Sequence, residues 1–136
     1  MRKLQFALCF AALFVVSSVV LSCGTNSQGP GQLQAITLSP ASADAGNYPG
    51  GMVPFVATGV YMHPTRQVTP QPATWGVCQQ GAPTSDISVT NVGVAKCMSG
   101  ASGAYTVFAY QMTNCTALLA CGGGCTVVGT AQLTCP

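Results

Sequence analysis

The side chains from which chemistry could be built are few: Cys78, Cys97, Cys115, Cys121, Cys125 and Cys135, one histidine, His63, and two carboxylates, Asp44 and Asp86. Cys121-Gly-Gly-Gly-Cys125, with Cys115 and either Cys135 or His63, offers the thiolate and imidazole ligands that zinc takes. Structural zinc sites use two close cysteine pairs, however, and only one loose pair is present, so no metal is expected. A redox pair in the same run would want a thiol acidified at a helix N-terminus, and no helical pattern follows it. Glycoside hydrolysis of the usual kind needs two facing carboxylates, whereas Asp44 and Asp86 fall in loop or strand-edge sequence. A Ser-His-Asp set could use only His63, which sits in Tyr61-Met62-His63-Pro64 at the end of a strand. These patterns predict no catalysis and no cofactor. The triple glycine is expected to let its loop close tightly, since glycine accepts positive φ. Asn114-Cys115-Thr116 fits the glycosylation acceptor pattern and is read as a chance match.

What must position these residues depends on where the chain works. Arg2-Lys3 precedes an apolar run from Leu4 to Leu21, followed by Ser22-Cys23-Gly24. A basic head, a short apolar core and a small residue at its end make the layout of a secretory signal. Val20-Leu21-Ser22-Cys23 resembles the lipobox of bacterial lipoproteins. That resemblance implies cleavage before Cys23 and acylation of Cys23, with multiple chains for stable attachment. A plain secretory cut near Ser22 and a retained anchor, about 20 apolar residues long, are the alternatives. The expected organisation is a signal peptide over 1–22, a lipidated Cys23 with a flexible tether over 23–34, and one domain over 35–136. Gly24 after the lipid cysteine resembles the sorting pattern for an outer membrane, where the cell has two.

Outside the cytoplasm an even set of cysteines in a short domain reads as a disulfide framework. Cys9 leaves with the signal and Cys23 takes lipid. The remaining six allow 15 pairings, and spacing alone does not choose among them. Each bridge is worth roughly 2–4 kcal/mol, which is comparable to the whole stability of a domain this size. The mature chain holds only Asp44, Asp86, Arg66 and Lys96 as charges and has no glutamate. Near-neutrality excludes the electrostatic footprint of a nucleic-acid binder and supplies no polybasic membrane patch.

From Ala35 the dominant period is two, the signature of half-buried strands. Seven short strands are predicted, around Ile36–Leu38, Phe55–Tyr61, Ala73–Val77, Ile87–Val89, Val94–Cys97, Tyr105–Tyr110 and Thr130–Cys135, separated by Gly, Pro, Ser and Asn turns. Only Thr116 to Ala120 could hold a helical turn. This is the layout of an all-β sandwich, with Trp75 expected as its buried core tryptophan.

The order Ile36-x-Leu38-x-Pro40, Phe55-x-Ala57, Trp75, Val94-Ala95, Gly100-x-x-Gly103-x-Tyr105-x-Val107-x-Ala109 resembles the bacterial immunoglobulin-like domain of group 2, over roughly Leu33 to Pro136. The resemblance implies an Ig-like β-sandwich of about seven strands with an adhesion-type role at the cell envelope. Six cysteines, and the long Thr113–Val127 insertion before the last strand, depart from that family. In such a sandwich Cys78, Cys97 and Cys135 gather at one pole and Cys115, Cys121 and Cys125 at the other. Cys97–Cys135 and one pair within the insertion are then favoured, and one bridge must link the two groups. The implied function is a lipid-anchored, extracytoplasmic, non-catalytic binding or structural module. Its partners would be the membrane through the anchor, and an extracellular or envelope protein or polysaccharide, not nucleic acid. Recognition is expected first in the Thr113–Val127 insertion, then in the Pro-rich loop His63–Pro72. Two further readings stand beside it. One is a small periplasmic redox or metal-handling lipoprotein using Cys115, Cys121 and Cys125. The other is a subunit whose edge strand pairs with an envelope partner.

Overall fold

Strands form where the period-two pattern runs, and two layers bury its apolar side. The computed structural model describes residues 31–116 and 120–136; the expected signal segment, Cys23 and part of the proposed Thr116–Ala120 turn lie outside the described residues. The front sheet has the order β2(Ser42–Asp44)–β11(Val128–Cys135)–β10(Gly103–Tyr110)–β6(Thr74–Gln79)–β7(Ala82–Pro83). The back layer joins β1(Gln32–Ser39)–β4(Val56–Met62)–β5(Arg66–Val68) to β3(Met52–Pro54)–β9(Val94–Cys97)–β8(Ile87–Val89). Its two halves share one run of chain, because β3 and β4 are separated only by Phe55, whose N–H donates to the Gly93 carbonyl at 2.9 Å. All pairings are antiparallel except β2 with β11. The chain therefore crosses from back to front between Ser39 and Ser42. Short hairpins, crossing connections and two facing layers, one a five-stranded sheet and the other two three-stranded sheets, make this an Ig-like sandwich.

The faces follow the alternation. Leu33, Ile36, Leu38, Val53, Phe55 and Ala57 from the back layer meet Val77, Tyr105, Val107, Ala131 and Leu133 from the front sheet in one buried cluster. Tyr105 is 2 % exposed. Its hydroxyl donates to the Ser102 carbonyl and to Asp86 Oδ2, each at 3.2 Å. A tyrosine near the start of this strand, bonded to backbone just upstream, is a recurrent corner of the fold.

Three differences from the sequence reading have simple causes. Eleven strands replace seven, because β2, β3, β5 and β7 are only two or three residues long and lie outside the expected strands; β3 ends just before Phe55, where the expected second strand began. Gln32–Gln34, assigned above to the tether, opens β1 and buries Leu33; a single apolar residue between two glutamines carries no alternation. Trp75 is half-buried rather than fully buried. Its ring lies against the core on one side and on the other lines a cleft with Val56, Pro70, Pro72 and Val92. Gly93 makes this packing possible. It has φ +86°, and a Cβ there would strike the Phe55 carbonyl and the Trp75 ring.

Candidate functional site

The outer face of the front sheet is where the structure departs most from a plain sandwich. On β10, Tyr105, Val107 and Ala109 point into the core, which leaves Thr106, Phe108 and Tyr110 on the outer face. Phe108 is nevertheless only 8 % exposed, because the insertion between β10 and β11 folds back over it. Gly122 of the insertion is buried, close to the Phe108 ring and to Val128. Underneath, the Phe108 ring lies on Gly76 of β6, its cross-strand partner, where any side chain would collide with it. Tyr110 stacks beside Phe108 with ring centroids 6.0 Å apart. This is a second, small apolar core outside the main one.

Two disulfides hold the insertion in place. Cys115–Cys125 closes its neck. There Thr116 N–H donates to the Gly124 carbonyl and Thr126 N–H to the Asn114 carbonyl, both at 2.8 Å. Cys121 then bonds to Cys78 on β6. Cys78 lies opposite Thr106, which puts it on the outer face rather than at the pole with Cys97 and Cys135. The insertion is thus rooted at one pole but spans the sheet, and Cys78–Cys121 is the link between the two cysteine groups. The third bridge, Cys97–Cys135, ties β9 of the back layer to β11 of the front sheet. In this state Cys121 is paired away from Cys115 and Cys125, so the three sulfurs of the metal or redox reading do not act together.

Beside the root of the insertion, Pro72, Ala73, Thr74, Tyr110, Gln111, Met112 and Thr113 line a groove of about 450 Å³. Its far wall is the Pro-rich loop, and Gln71 holds that loop. This side chain is 3 % exposed. Its Oε1 accepts from the Tyr61 hydroxyl at 3.0 Å, its Nε2 donates to the Pro72 carbonyl at 3.1 Å, and its backbone N–H donates to Ala57 at 2.8 Å. A buried, hydrogen-bonded glutamine between two prolines leaves no mark in a sequence pattern, and the reading above missed it. Farther along the loop, the Thr58 and Thr69 hydroxyls bond at 2.7 Å, and the Arg66 guanidinium sits 4.7 Å over the Tyr61 ring.

The remaining sequence candidates are dispersed. His63 is exposed in the turn after β4. Asp44 accepts from the Gly46 N–H at 2.8 Å and caps a turn. Asp86 accepts from Tyr105, whose hydroxyl is pushed to a higher pKa first by burial and then by the Asp86 charge. Among the described residues, no three of the His, Cys, Asp and Glu side chains lie together as a metal-binding group. Asn114 Nδ2 is buried, without a hydrogen-bond partner among the described residues, so the glycosylation-like pattern is not presented to solvent. The groove and the insertion offer amides, hydroxyls, prolines and Met112 on a fixed frame, a surface suited to apolar contact and neutral hydrogen bonds. No protein-family model matches the chain, and no curated protein is significantly similar to it.

Proposed function

We propose that the protein is a lipid-anchored module of the cell envelope, held through Cys23, whose Ig-like domain of group 2 type presents the Thr113–Val127 insertion as a non-catalytic binding surface for an envelope or extracellular protein or polysaccharide. The observation that carries this reading is the double disulfide fixation of the insertion on the sheet. A loop held in one shape loses little freedom on binding, which favours recognition. Three disulfides fit an oxidising, extracytoplasmic space. Among the described residues no helix is long and apolar enough to cross a membrane, and attachment through lipid would need none.

Two measurements test it. Intact mass of protein taken from its native membrane should correspond to a chain starting at Cys23 plus acyl chains, with no thiol open to alkylation before reduction. An unacylated N-terminus at another residue, or thiols that alkylate without reduction, would overturn the anchor or the bridges respectively. Cells carrying the Thr116–Gly124 stretch in scrambled order, with Cys121 kept in place, should lose retention on envelope polysaccharide and on other cells. Unchanged retention sinks the binding role of the insertion.

A further inference from the structure

The pole of the sandwich from which a tether would leave is fixed by topology. Gln32 at the start of β1 pairs with Met62 at the end of β4, and Gly31 lies against the Met62–His63 backbone. The β1 and β11 strands run side by side in the same sense. Ile36 is near Gly129, and farther on Asp44 of β2 lies opposite Thr134. The chain therefore enters at the pole where β10 ends in Tyr110 and Met112 follows. The opposite pole holds the Cys97–Cys135 bridge.

Charge is divided along the same axis. Of the four charged side chains after Cys23, three lie toward the far pole. Asp44 is opposite Thr134, next to Cys135. Asp86 accepts backbone and side-chain bonds from Met98 and Tyr105. Lys96 precedes Cys97 and lies opposite Met52. The fourth, Arg66, is at the near pole, opposite Tyr61. Both carboxylates thus face away from the point of entry, and the one arginine sits beside it.

Resting on the lipid-anchor reading, we infer that the near pole, formed by Met62, His63, Pro64, Arg66 and Met112, is a docking surface for anionic phospholipid headgroups. Eight residue steps separate Cys23 from Gly31. They span at most about 28 Å even when fully extended. Acyl chains on Cys23 keep this pole within reach of the bilayer at all times. At the high effective concentration of so short a link, even a weak contact is populated. Arg66 meets the negative surface, Met62 and Met112 meet the interface, and Asp44 and Asp86 are kept from it. The insertion, which spans the flank of the sandwich, is then presented sideways and the far pole outward.

The chain carries its own reporters. Its four methionines after Cys23 are all exposed: Met62 (42 %) and Met112 (52 %) at the near pole, Met52 (48 %) and Met98 (48 %) toward the far one. The acylated protein is bound to phosphatidylethanolamine–phosphatidylglycerol vesicles, isolated by flotation, and treated with a limiting dose of a membrane-impermeant oxidant. Sulfoxide is then mapped by mass spectrometry. The solution reference is the Cys23→Ser chain prepared without residues 1–22. Docking predicts oxidation several-fold slower at Met62 and Met112 than in the reference, with Met52 and Met98 unchanged. Arg66→Glu should restore the first pair toward the reference rate. Floated protein whose four methionines all oxidise at reference rates overturns the docking surface and leaves the anchor standing. Protection of Met52 and Met98 in place of the other pair overturns it too. Concentration-dependent protection of Met62 and Met112 in the reference chain alone would assign the pole to a second copy instead. Protein that fails to float overturns the anchor itself, and the docking surface with it.

Discussion

At the scale of single residues, Phe108 and Tyr105 show how one strand serves two cores. Phe108 faces outward yet is covered, with Gly76 beneath it and Gly122 above. Phe108→Ala should cost about 3 kcal/mol, toward the low end for a buried phenylalanine because the insertion can settle into the space. Denaturant unfolding measures it, and a loss below about 1 kcal/mol would mean that the insertion does not pack on the sheet. Tyr105→Phe leaves the Ser102 carbonyl and Asp86 without their shared donor and should lower stability to denaturant. The same hydroxyl sets a pH dependence. Its pKa is raised in the fold, so the folded state holds the phenolic proton where the unfolded chain has released it. The stability it contributes is complete below the ordinary phenol value of about 10 and is lost as pH rises through the folded value. Alkaline unfolding followed by circular dichroism should show a shallower decline for Tyr105→Phe, and an identical decline would refute the assignment. The partition of β10 was legible from its alternation, but the cover over Phe108 was not. An outward aromatic in a strand looks the same in sequence whether water or a loop lies above it.

At the scale of elements, the three bridges do different work. Chain-entropy reasoning gives about 4 kcal/mol each for bridges that close 43 and 38 residues and about 2.7 kcal/mol for one that closes 10. Cys97→Ser/Cys135→Ser and Cys78→Ser/Cys121→Ser should therefore destabilise similarly, and Cys115→Ser/Cys125→Ser less. Their consequences should separate by site. Loss of Cys78–Cys121 frees the insertion and should raise hydrogen exchange in β6 and β7 as well as in the insertion, which contacts both. Loss of Cys97–Cys135 should instead raise exchange in β9 and the end of β11. A uniform change for all three variants would contradict this division. The seven main strands could be read from period two, because long strands repeat it several times. The strands β2, β3, β5 and β7 could not, because each is two or three residues long with proline, glycine or charge in or beside it.

At the scale of the whole molecule, the domain is built almost without charge. Among the described residues, what holds it together is a shared apolar core and three bridges. Surface charges separated by more than about 8–10 Å are screened at physiological salt in any case. Its melting temperature should therefore change little between about 0.01 and 0.15 M salt. A strong dependence would point to a charge interaction absent from the description above. The sequence by itself determined the all-β class, the core faces and the disulfide-rich character, because alternation, turn residues and an even cysteine set are local properties of the chain. The resemblance favours Cys97–Cys135 and a pair within the insertion, and both are present; tertiary structure alone decided that Cys121 is the partner of Cys78, that the insertion lies along the sheet instead of standing at its pole, that Gln71 holds the Pro-rich loop, and that both carboxylates lie away from the point of chain entry. Each of these depends on a distance between residues far apart in sequence, and a linear pattern carries no record of how a loop folds back across the strands that launch it.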